Sequence, residues 1–422
     1  MFSNLKQLFK RSNKDLRKRI YFTLFCLAIY SFGSTITVPW SNVNLAYEEL
    51  GFLGIFNIMA GGGLSSFSIF ALGVSPYITA QIITQLLQMD VVPYFKELKD
   101  QGYTGKQKIN KITRYLGVLF AFVQGYLFTI VFGGMGGDVM AILKTTIVFT
   151  AGTCLLLWIG DQITKHGIGN GLSLLIMAGI LRSMPTVFTE AFNGLVTAGT
   201  FTKTVGSVLF GAFILIYILV IVGMVWIQLA ERRIPIQYAN RTNSAYGGHQ
   251  NFLPIKLNSA GVMPVIFAST LIAIPTTIVN FLNKPKGIEF CEKYIANTSL
   301  TGFILYMALI FLFGYFYTFL QMNPDELSKN LSKSGAYIPG VRPGNSTVEY
   351  VSGVLSKLTI AGSIFLMIVA GLPIIFSNFS GLSSAVTIGG TGLLIVVGVA
   401  IETYKQLESS LISRSHRNGI KR

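Results

Sequence analysis

The stretch VGSVLFGAFILIYILVIVGMVWIQL, residues 205–229, carries no charged side chain over its whole length. A helix that crosses a membrane needs about 20 mostly apolar residues to span about 30 Å of hydrocarbon. The stretch is long enough, and it is apolar on every face of a helix, which suits lipid better than water. It therefore predicts a membrane-spanning helix.

The rest of the chain has the same character. Of its 422 residues, 51% are hydrophobic and 12% are charged, whereas an average soluble domain carries about 25% charge. With 205–229, nine further apolar stretches predict an all-α membrane protein with ten transmembrane helices; they lie near 20–38, 72–89, 115–134, 141–160, 171–191, 258–281, 301–321, 354–376 and 384–402. Basic residues precede 20–38 as in a signal peptide, but no convincing cleavage site follows, so we predict a retained first span.

The basic residues predict the orientation. If the N-terminus is cytoplasmic, the inside segments are 1–19, 90–114, 161–170, 230–257, 322–357 and 402–422. Of the 33 Lys and Arg residues, all but six then lie inside, and those six fall outside or near span ends; they are Lys144, Arg182, Lys203, Lys284, Lys286 and Lys293. This asymmetry agrees with the positive-inside rule and predicts a multi-pass protein with both termini in the cytoplasm. The basic loops at 90–114, 230–257 and 322–357 are longer than connectors need to be, which suits docking of an acidic or RNA-rich partner.

Ten spans divide evenly near residue 195. We predict an N-terminal half, 1–195, with five spans, and a C-terminal half, 196–422, with five spans and the large loops 230–257 and 322–357. An odd number of spans in each half gives two halves of shared fold opposite orientations, and such inverted repeats place a functional path at their interface.

The stretch IFNIMAGGGLSSFSIFA, residues 55–71, is apolar but short for a span, and its glycines and serines weaken a helix. Broken backbone at membrane depth survives only where protein or a watery cavity surrounds it. The pattern favours a short re-entrant helix inside a cavity. A loop helix at the membrane interface is the alternative.

The second span, SPYITAQIITQLLQMD at 75–90, carries several polar side chains among its aliphatic residues, and these bond across helices or face water. Ile78 and Ile82 share one helix face, and Ile176 and Ile180 repeat this spacing. Taken alone, such pairs are ordinary core residues.

The sequence lacks the marks of an enzyme. Cys26, Cys154 and Cys291 are far apart and the three histidines are scattered, so neither a disulfide framework nor a metal site is expected. There is no nucleotide-binding GxxxxGK[ST] loop, and no cofactor is expected. Few acids or bases are predicted in mid-membrane, which argues against an ion-coupled carrier.

Seven segments closely resemble the SecY family of translocon channels, in the family's order and over nearly the whole chain. They are SPYITAQIITQLLQMD (75–90), GIGNGLSLLIMAGI (167–180), AERRIPIQY (230–238), LPIKLNSAGVMPVIFAS (253–269), YFYTFLQMNPDEL (315–327), AYIPGVRPG (336–344) and GGTGLLIVVGVAIE (389–402). The resemblance implies a clamshell of two five-helix halves around an hourglass pore, whose waist is sealed by an aliphatic ring. The ring side chains would be Ile78, Ile82, Ile176, Ile180, Ile266 and Ile395.

The resemblance also assigns the moving parts. The stretch 55–71 matches the family's plug, with Asn57, Gly61, Gly62, Gly63, Leu64 and Phe67 as its marked residues. Gln88, Gln124 and Asn258 match the polar cluster of the lateral gate, through which a signal helix would pass sideways into lipid.

The implied partners follow from the same family. Arg232, Arg233 and Arg342 match regions that engage the SecA motor or the ribosome. Small subunits like SecE and SecG, translocating preproteins and membrane lipids complete the expected partners, and no DNA partner is expected. The loop ANRTNSAYGGHQNF, 239–252, is shorter and less basic than is usual in the family. An accessory form of the channel is therefore left open, and the implied location is a bacterial cytoplasmic membrane.

Three functions compete at this stage. The first is a passive protein-conducting channel, gated by signal sequences and driven by a separate motor. The second is a secondary transporter with broken helices, for which Pro264 and Pro275 in the seventh span would mark the unwound site. The third is a membrane enzyme or insertase, which lacks visible catalytic groups. The apolar ring and the few intramembrane charges favour the channel.

Overall fold

A computed structural model of the chain describes residues 14–40, 54–88, 92–132, 138–197, 202–238, 251–281, 285–295, 299–380 and 384–419. Ten helices in these ranges coincide with the ten predicted spans. They are α1 (Lys14–Gly33), α3 (Ser75–Leu87), α5 (Tyr103–Phe132), α6 (Val139–His166), α7 (Gly171–Phe192), α8 (Lys203–Leu229), α9 (Met263–Phe281), α11 (Leu300–Gln321), α13 (Asn345–Ser380) and α14 (Ser384–Gly419).

Four shorter helices and three strands complete the described chain. The helices are α2 (Gly54–Met59), α4 (Pro93–Asp100), α10 (Pro285–Tyr294) and α12 (Pro324–Lys333). The strands are β1 (Glu231–Tyr238), β2 (Asn251–Lys256) and β3 (Ala336–Tyr337). A single π-helical turn, Asn193–Thr197, continues α7 towards α8.

Local sequence explains where several of these helices begin. Asp138 and Asn170 stand just before α6 and α7, and their side chains accept hydrogen bonds from the backbone N–H of Met140 and Leu172, at 3.1 and 3.2 Å. Ser299 does the same for Gly302 at the start of α11. Such caps satisfy N–H groups that have no partner inside the helix, which matters most where water is scarce.

In the described ranges, six helices are both long and apolar enough to cross a membrane by length and composition. They are α5, α6, α7 with its π turn, α8, α11 with α12, and α13. Of the other predicted spans, α3 is only 13 residues long, because the chain before it, up to Val74, forms turns rather than helix. Several long helices also extend well beyond the predicted spans on the side that carries the basic loops, α14 and α5 by the largest margins.

The structure of α9, the seventh predicted span, contradicts one expectation of the transporter hypothesis. Pro275 lies inside α9, which continues from Met263 to Phe281 without interruption, and Pro264 lies in its first turn. Proline is tolerated in the first turn, where a backbone N–H would lack a partner anyway. The unwound site that the two prolines predicted is therefore absent from α9.

The stretch 55–71 differs from the prediction in its extent. Only α2, Gly54–Met59, is helical, and the chain from 60 to 74 forms successive turns. An isolated β-bridge pairs Ser68, within these turns, with Thr37. Gly61, Gly62 and Phe67 all have positive φ angles, of 69°, 78° and 46°. Glycine enters this region at little cost, which is why the helix can end so abruptly.

A small sheet, which the sequence did not predict, lies in the basic loops at 230–257 and 322–357. β1 pairs antiparallel with β2, from Glu231 opposite Lys256 to Ile236 opposite Asn251, and with β3 at Gln237 and Tyr238. Alternate residues Ile234 and Ile236 are buried on one face. They pack with Ile255, Ile338, Val351 and Leu355 into a small core beneath the sheet. Most of the unusual loop at 239–252 lies outside the described residues.

The helices pack in two sets. In the first, α3 and α6 pack on α5, and α1 and α7 pack on α6; in the second, α8, α11 and α14 pack on α13 and α9 packs on α11. The sets meet where α14 packs against α7 and α2, and where α9 touches α5. The helix-to-helix contacts between the sets therefore run along two seams.

Candidate functional site

A cavity of about 310 Å³ lies between the two sets of helices. Its lining comes from both: Tyr77 and Ser173 from α3 and α7, and Tyr317 and Glu402 from α11 and α14. Pockets between helices of a bundle are ordinary ligand sites. The lining combines aliphatic residues with polar and charged ones.

The predicted ring residues all lie in the buried core. All six are buried, with exposed fractions between 0 and 7%, and all belong to the main hydrophobic core. Four of them line the cavity: Ile78, Ile176, Ile266 and Ile395. Ile180 lies on the opposite side, close to Ile58 of α2, since a Cβ placed on Gly392 would be 3.0 Å from Ile180 and 3.7 Å from Ile58. Part of the predicted ring thus lines the cavity, and Ile180 lies near the 55–71 segment.

The residues predicted for the plug form one compact turn. The Asn57 side-chain oxygen accepts hydrogen bonds from the backbone N–H groups of Leu64 and Ser65, at 3.1 and 3.0 Å. Leu64 and Phe67 are buried, at 1% and 0% exposure, in a small core shared with Phe149 of α6. Backbone hydrogen bonds run through the turn, among them Gly62 N–H to Asn57 O at 2.8 Å and Ser68 N–H to Gly63 O at 2.9 Å. Asn57 Nδ2 and Ser68 Oγ are buried without a hydrogen-bond partner, and unpaired buried groups are costly.

The Asn57 side chain is expected to be the main brace of this turn. Replacing it with alanine leaves two buried N–H groups unpaired, at a cost of about 1–3 kcal/mol each. We expect N57A to speed amide hydrogen exchange at residues 61–66 by tenfold or more. The matched control is S66A, which removes one hydroxyl that donates to Gly62 O at 3.2 Å; it should change exchange little. Equal protection in N57A and the unchanged protein would contradict this role.

Two of the three residues predicted for the lateral gate, Gln88 and Asn258, bond to backbone close to them in the chain. Gln88 Nε2 donates to Thr84 O at 3.1 Å, and Asn258 Nδ2 donates to Gly261 O at 2.9 Å. No hydrogen bond joins Gln88, Gln124 and Asn258 to one another in the described part of the chain.

Sequence reasoning missed a different polar pair across the same seam. Gln85 on α3 and the Tyr317 hydroxyl on α11 lie near each other, and Gln85 Oε1 is buried without a hydrogen-bond partner. Both residues lay in quoted motifs, but spacing along the chain does not reveal contacts between distant helices. The pair spans the seam that α5 and α9 also form.

The residues predicted for docking are exposed in the loops. Arg233 pairs with Glu231 at 3.0 Å, and Arg232 lies beside it on β1. Arg342 is exposed next to a shallow groove of about 510 Å³ that also includes Glu349 and Lys357. The sheet and the loop of Arg342 share one small core, so the three arginines belong to one unit of the structure.

Charged groups gather near the open side of the cavity. Lys256 and Glu402 line it, and Lys405, three residues beyond the predicted tenth span, donates to Gln228 O at 3.2 Å. Partial burial lowers the pKa of Lys405, nearby Lys256 lowers it further, and Glu231 acts in the opposite direction. This side of the cavity is polar, whereas the ring side is aliphatic.

Comparison with known proteins gives consistent results. A profile of the SecY family matches residues 68–404. The chain is 42% identical, over 100% of both chains, to the protein translocase subunit SecY of Bacillus subtilis strain 168. It is also 42% identical, over 99% of both chains, to the SecY subunit of Staphylococcus epidermidis strain ATCC 35984.

Solved structures share the fold at lower identity. A protein-conducting channel superposes with a TM-score of 0.69 at 20% identity, covering 95% of this chain and 94% of the other. Sec61 in the canine ribosome-channel complex superposes with a TM-score of 0.66 at 21% identity over the same shares. Such neighbours are ten-helix clamshells, which agrees with the ten helices described above. With a family profile over most of its length and full-length relatives above 40% identity, the chain belongs to the SecY family.

Proposed function

We propose that the chain is the central pore-forming subunit of a Sec translocon. It is a passive protein-conducting channel: unfolded, signal-bearing polypeptides cross through it, and transmembrane segments leave it sideways into lipid. The observation that carries the proposal is the layered path through the bundle. A cavity with a polar entrance ends at aliphatic side chains from both sets of helices, and the 55–71 segment lies beyond them.

The chemistry of this path suits a polypeptide. Aliphatic side chains form a constriction that resists ions by dewetting. They make no specific hydrogen bonds, so they tolerate any passing side chain, and each contact is individually weak. We propose that the two sets of helices are the halves 1–195 and 196–422, and that they separate along the seam at α5 and α9 to let a signal helix reach lipid.

The partners and location follow from the same proposal. The long basic loops face the cytoplasm of a bacterial cell, with both termini on that side of its cytoplasmic membrane. SecA or the ribosome binds there and drives transport, while SecE-like and SecG-like subunits stabilise the two halves within the membrane. The chain supplies no energy of its own and is not an enzyme.

Reconstitution tests the proposal. The protein, purified with its small partner subunits, is placed in liposomes with the motor ATPase, and protease protection of a signal-bearing polypeptide is measured. We expect protection that requires a functional signal. If no polypeptide enters and the liposomes instead accumulate a small solute down an ion gradient, the channel is wrong and the transporter alternative stands.

Arg342 is expected to couple the motor to the channel. The loop backbone is fixed, because Thr347 Oγ1 donates to Arg342 O at 2.9 Å and Ser328 Oγ donates to Gly344 O at 3.1 Å. No hydrogen bond or ion pair to the guanidinium occurs within the described residues, so it is available to a partner. A hydrogen bond to a charged group contributes about 1.5–3 kcal/mol, so R342A should slow motor-driven transport about tenfold or more.

The controls separate coupling from opening. R342K keeps the charge but loses the planar fork of donors, so it should recover transport only in part. K357A, in the same groove, should have a small effect. The resting ion conductance should stay unchanged in all three variants. Normal transport by R342A would exclude this role.

A further inference from the structure

Arg182 occupies an unexpected place. The charge count grouped it with residues outside or near span ends, although the predicted span 171–191 contains it; the structure places it near the middle of α7, partly buried. A charged side chain within a membrane span is costly and is rarely retained without a partner or a water-filled path. Its surroundings therefore indicate what it does.

The guanidinium of Arg182 is bound to the end of the first span. Its Nη1 donates a hydrogen bond to Ser34 Oγ. Ser34 is fully buried, and its hydroxyl donates in turn to Ser31 O at 3.0 Å. The Tyr30 side chain is 1% exposed and lies within the range of an electrostatic interaction with Arg182. The acceptor is thus oriented by a second hydrogen bond.

The same turn of α7 contacts the 55–71 segment. A Cβ placed on Gly61 would lie 3.5 Å from Arg182 Cδ and 3.4 Å from the Tyr30 hydroxyl. Ser183 Oγ lies 3.2 Å from Ile58 O, to which it donates. The Arg182 side chain therefore runs alongside the plug backbone at the point where α2 ends and the glycine turn begins.

After Ser34, the chain continues into residues 36–38, whose backbone bonds to the other end of the plug segment. Ile69 N donates to Ile36 O at 2.9 Å, and Val38 N donates to Phe67 O at 3.0 Å. Through Ser34, Arg182 is connected to this segment, and through its methylenes it touches the turn at Gly61. The two ends of the plug segment are thus fixed around one arginine.

We propose that Arg182 is a latch that holds the plug in its closed position, and that its charge faces the conducting path once the plug has left. The inference rests on the proposed channel function and adds a residue that sets the cost of opening. A hydrogen bond from a charged donor is stronger than a neutral one and is strongest away from water. When the plug leaves, water reaches the guanidinium and compensates for the lost contacts, so the latch can release.

Single-channel recording in planar bilayers tests the latch, with the chain purified together with its small partner subunits. R182M removes the charge and donors but keeps a long side chain, and we expect at least a tenfold rise in the fraction of time the channel conducts at rest. R182K should restore most of the closure. S34A should have a smaller effect, and R182M with S34A should be no leakier than R182M, because both remove the same bond.

The charge is tested by ion selectivity, which a purely structural role would leave unchanged. In a channel lacking residues 57–67, under a KCl gradient, R182M should shift the reversal potential towards cation preference, and R182K should not. The matched control K203M removes an exposed charge at the start of α8 and should shift neither quantity. An unchanged reversal potential, or equal leakage by R182K and R182M, overturns the proposal.

The outcomes distinguish this inference from the function on which it rests. If the 57–67 deletion conducts and the intact complex transports polypeptide, but R182M stays as silent as the unchanged protein, the latch alone is wrong. If neither the deletion nor any variant conducts and no polypeptide is transported, the channel function itself fails.

Discussion

Replacing Gly179 with valine is expected to displace the plug and raise the resting ion conductance by roughly five- to a hundredfold. A Cβ at this position would lie 2.2 Å from Met59 O and 2.7 Å from the Tyr30 hydroxyl. Contacts this short force something to move. Overpacking a close-packed site costs about 1–3 kcal/mol, and each 1.4 kcal/mol shifts an equilibrium about tenfold.

We expect the plug, rather than α7, to move away from the added side chain. Gly179 lies inside a 22-residue helix whose backbone is fixed by its own hydrogen bonds, whereas Met59 ends a six-residue helix that leads into turns. The plug also carries the unpaired groups of Asn57 and Ser68. A short helix followed by turns opens at lower cost than a long helix.

Planar-bilayer recording with two reference channels measures this effect. The deletion of residues 57–67 gives the conductance of a fully open path, and G179V should lie between it and the silent parent. G211V is the matched control, because a Cβ on Gly211 of α8 meets no atom within 4 Å. If G211V leaked as much as G179V, the seat of the plug would not lie at Gly179.

The spans were predictable because hydrophobicity along the chain is a local property. The stretch 205–229 predicted α8, Lys203–Leu229, to within two residues. The prediction was poorer for α3, which begins at Ser75 rather than at 72, because the turn at Leu72–Val74 is as apolar as the helix that follows it. Composition cannot separate a buried turn from a buried helix. The hairpin of β1 and β2 was missed because its strands are short and contain Pro235 and Pro254.

Contacts between distant elements could not be read from the sequence. The charge count treated Arg182 as one more residue outside the core, and nothing near it in the chain shows that Ser34 accepts its hydrogen bond. The close approach of Gly179 to Met59 is likewise visible only in three dimensions. The ring residues came from the family resemblance, because the spacing of Ile176 and Ile180 alone fits any helix core. The roles of the named residues in the ring, the plug and the lateral gate remain predictions.

The predicted ring leads to a second prediction with a large effect. It concerns the current through an open channel, whereas the first concerns how often a channel conducts. Replacing Ile266 with asparagine is expected to raise the current through each open channel about tenfold while leaving the fraction of open channels unchanged. Ile266 is 5% exposed and lines the cavity at the aliphatic layer. A polar amide there holds water in a constriction that otherwise resists ions by dewetting, and a barrier lower by about 1.4 kcal/mol passes ions about tenfold faster.

The two variants can be separated in one experiment because the plug and the ring would act in series. G179V should change how often a channel conducts, and I266N how much it conducts, so the double variant should show the product of the two effects. The matched control is I163N: Ile163 on α6 is also fully buried but does not line the cavity, so it reports the cost of a buried amide alone. It should lower stability and leave the current of an open channel unchanged. If I266N altered only the open fraction, Ile266 would belong to the plug's seat and not to the constriction, and the aliphatic layer would lose its role as the ion barrier.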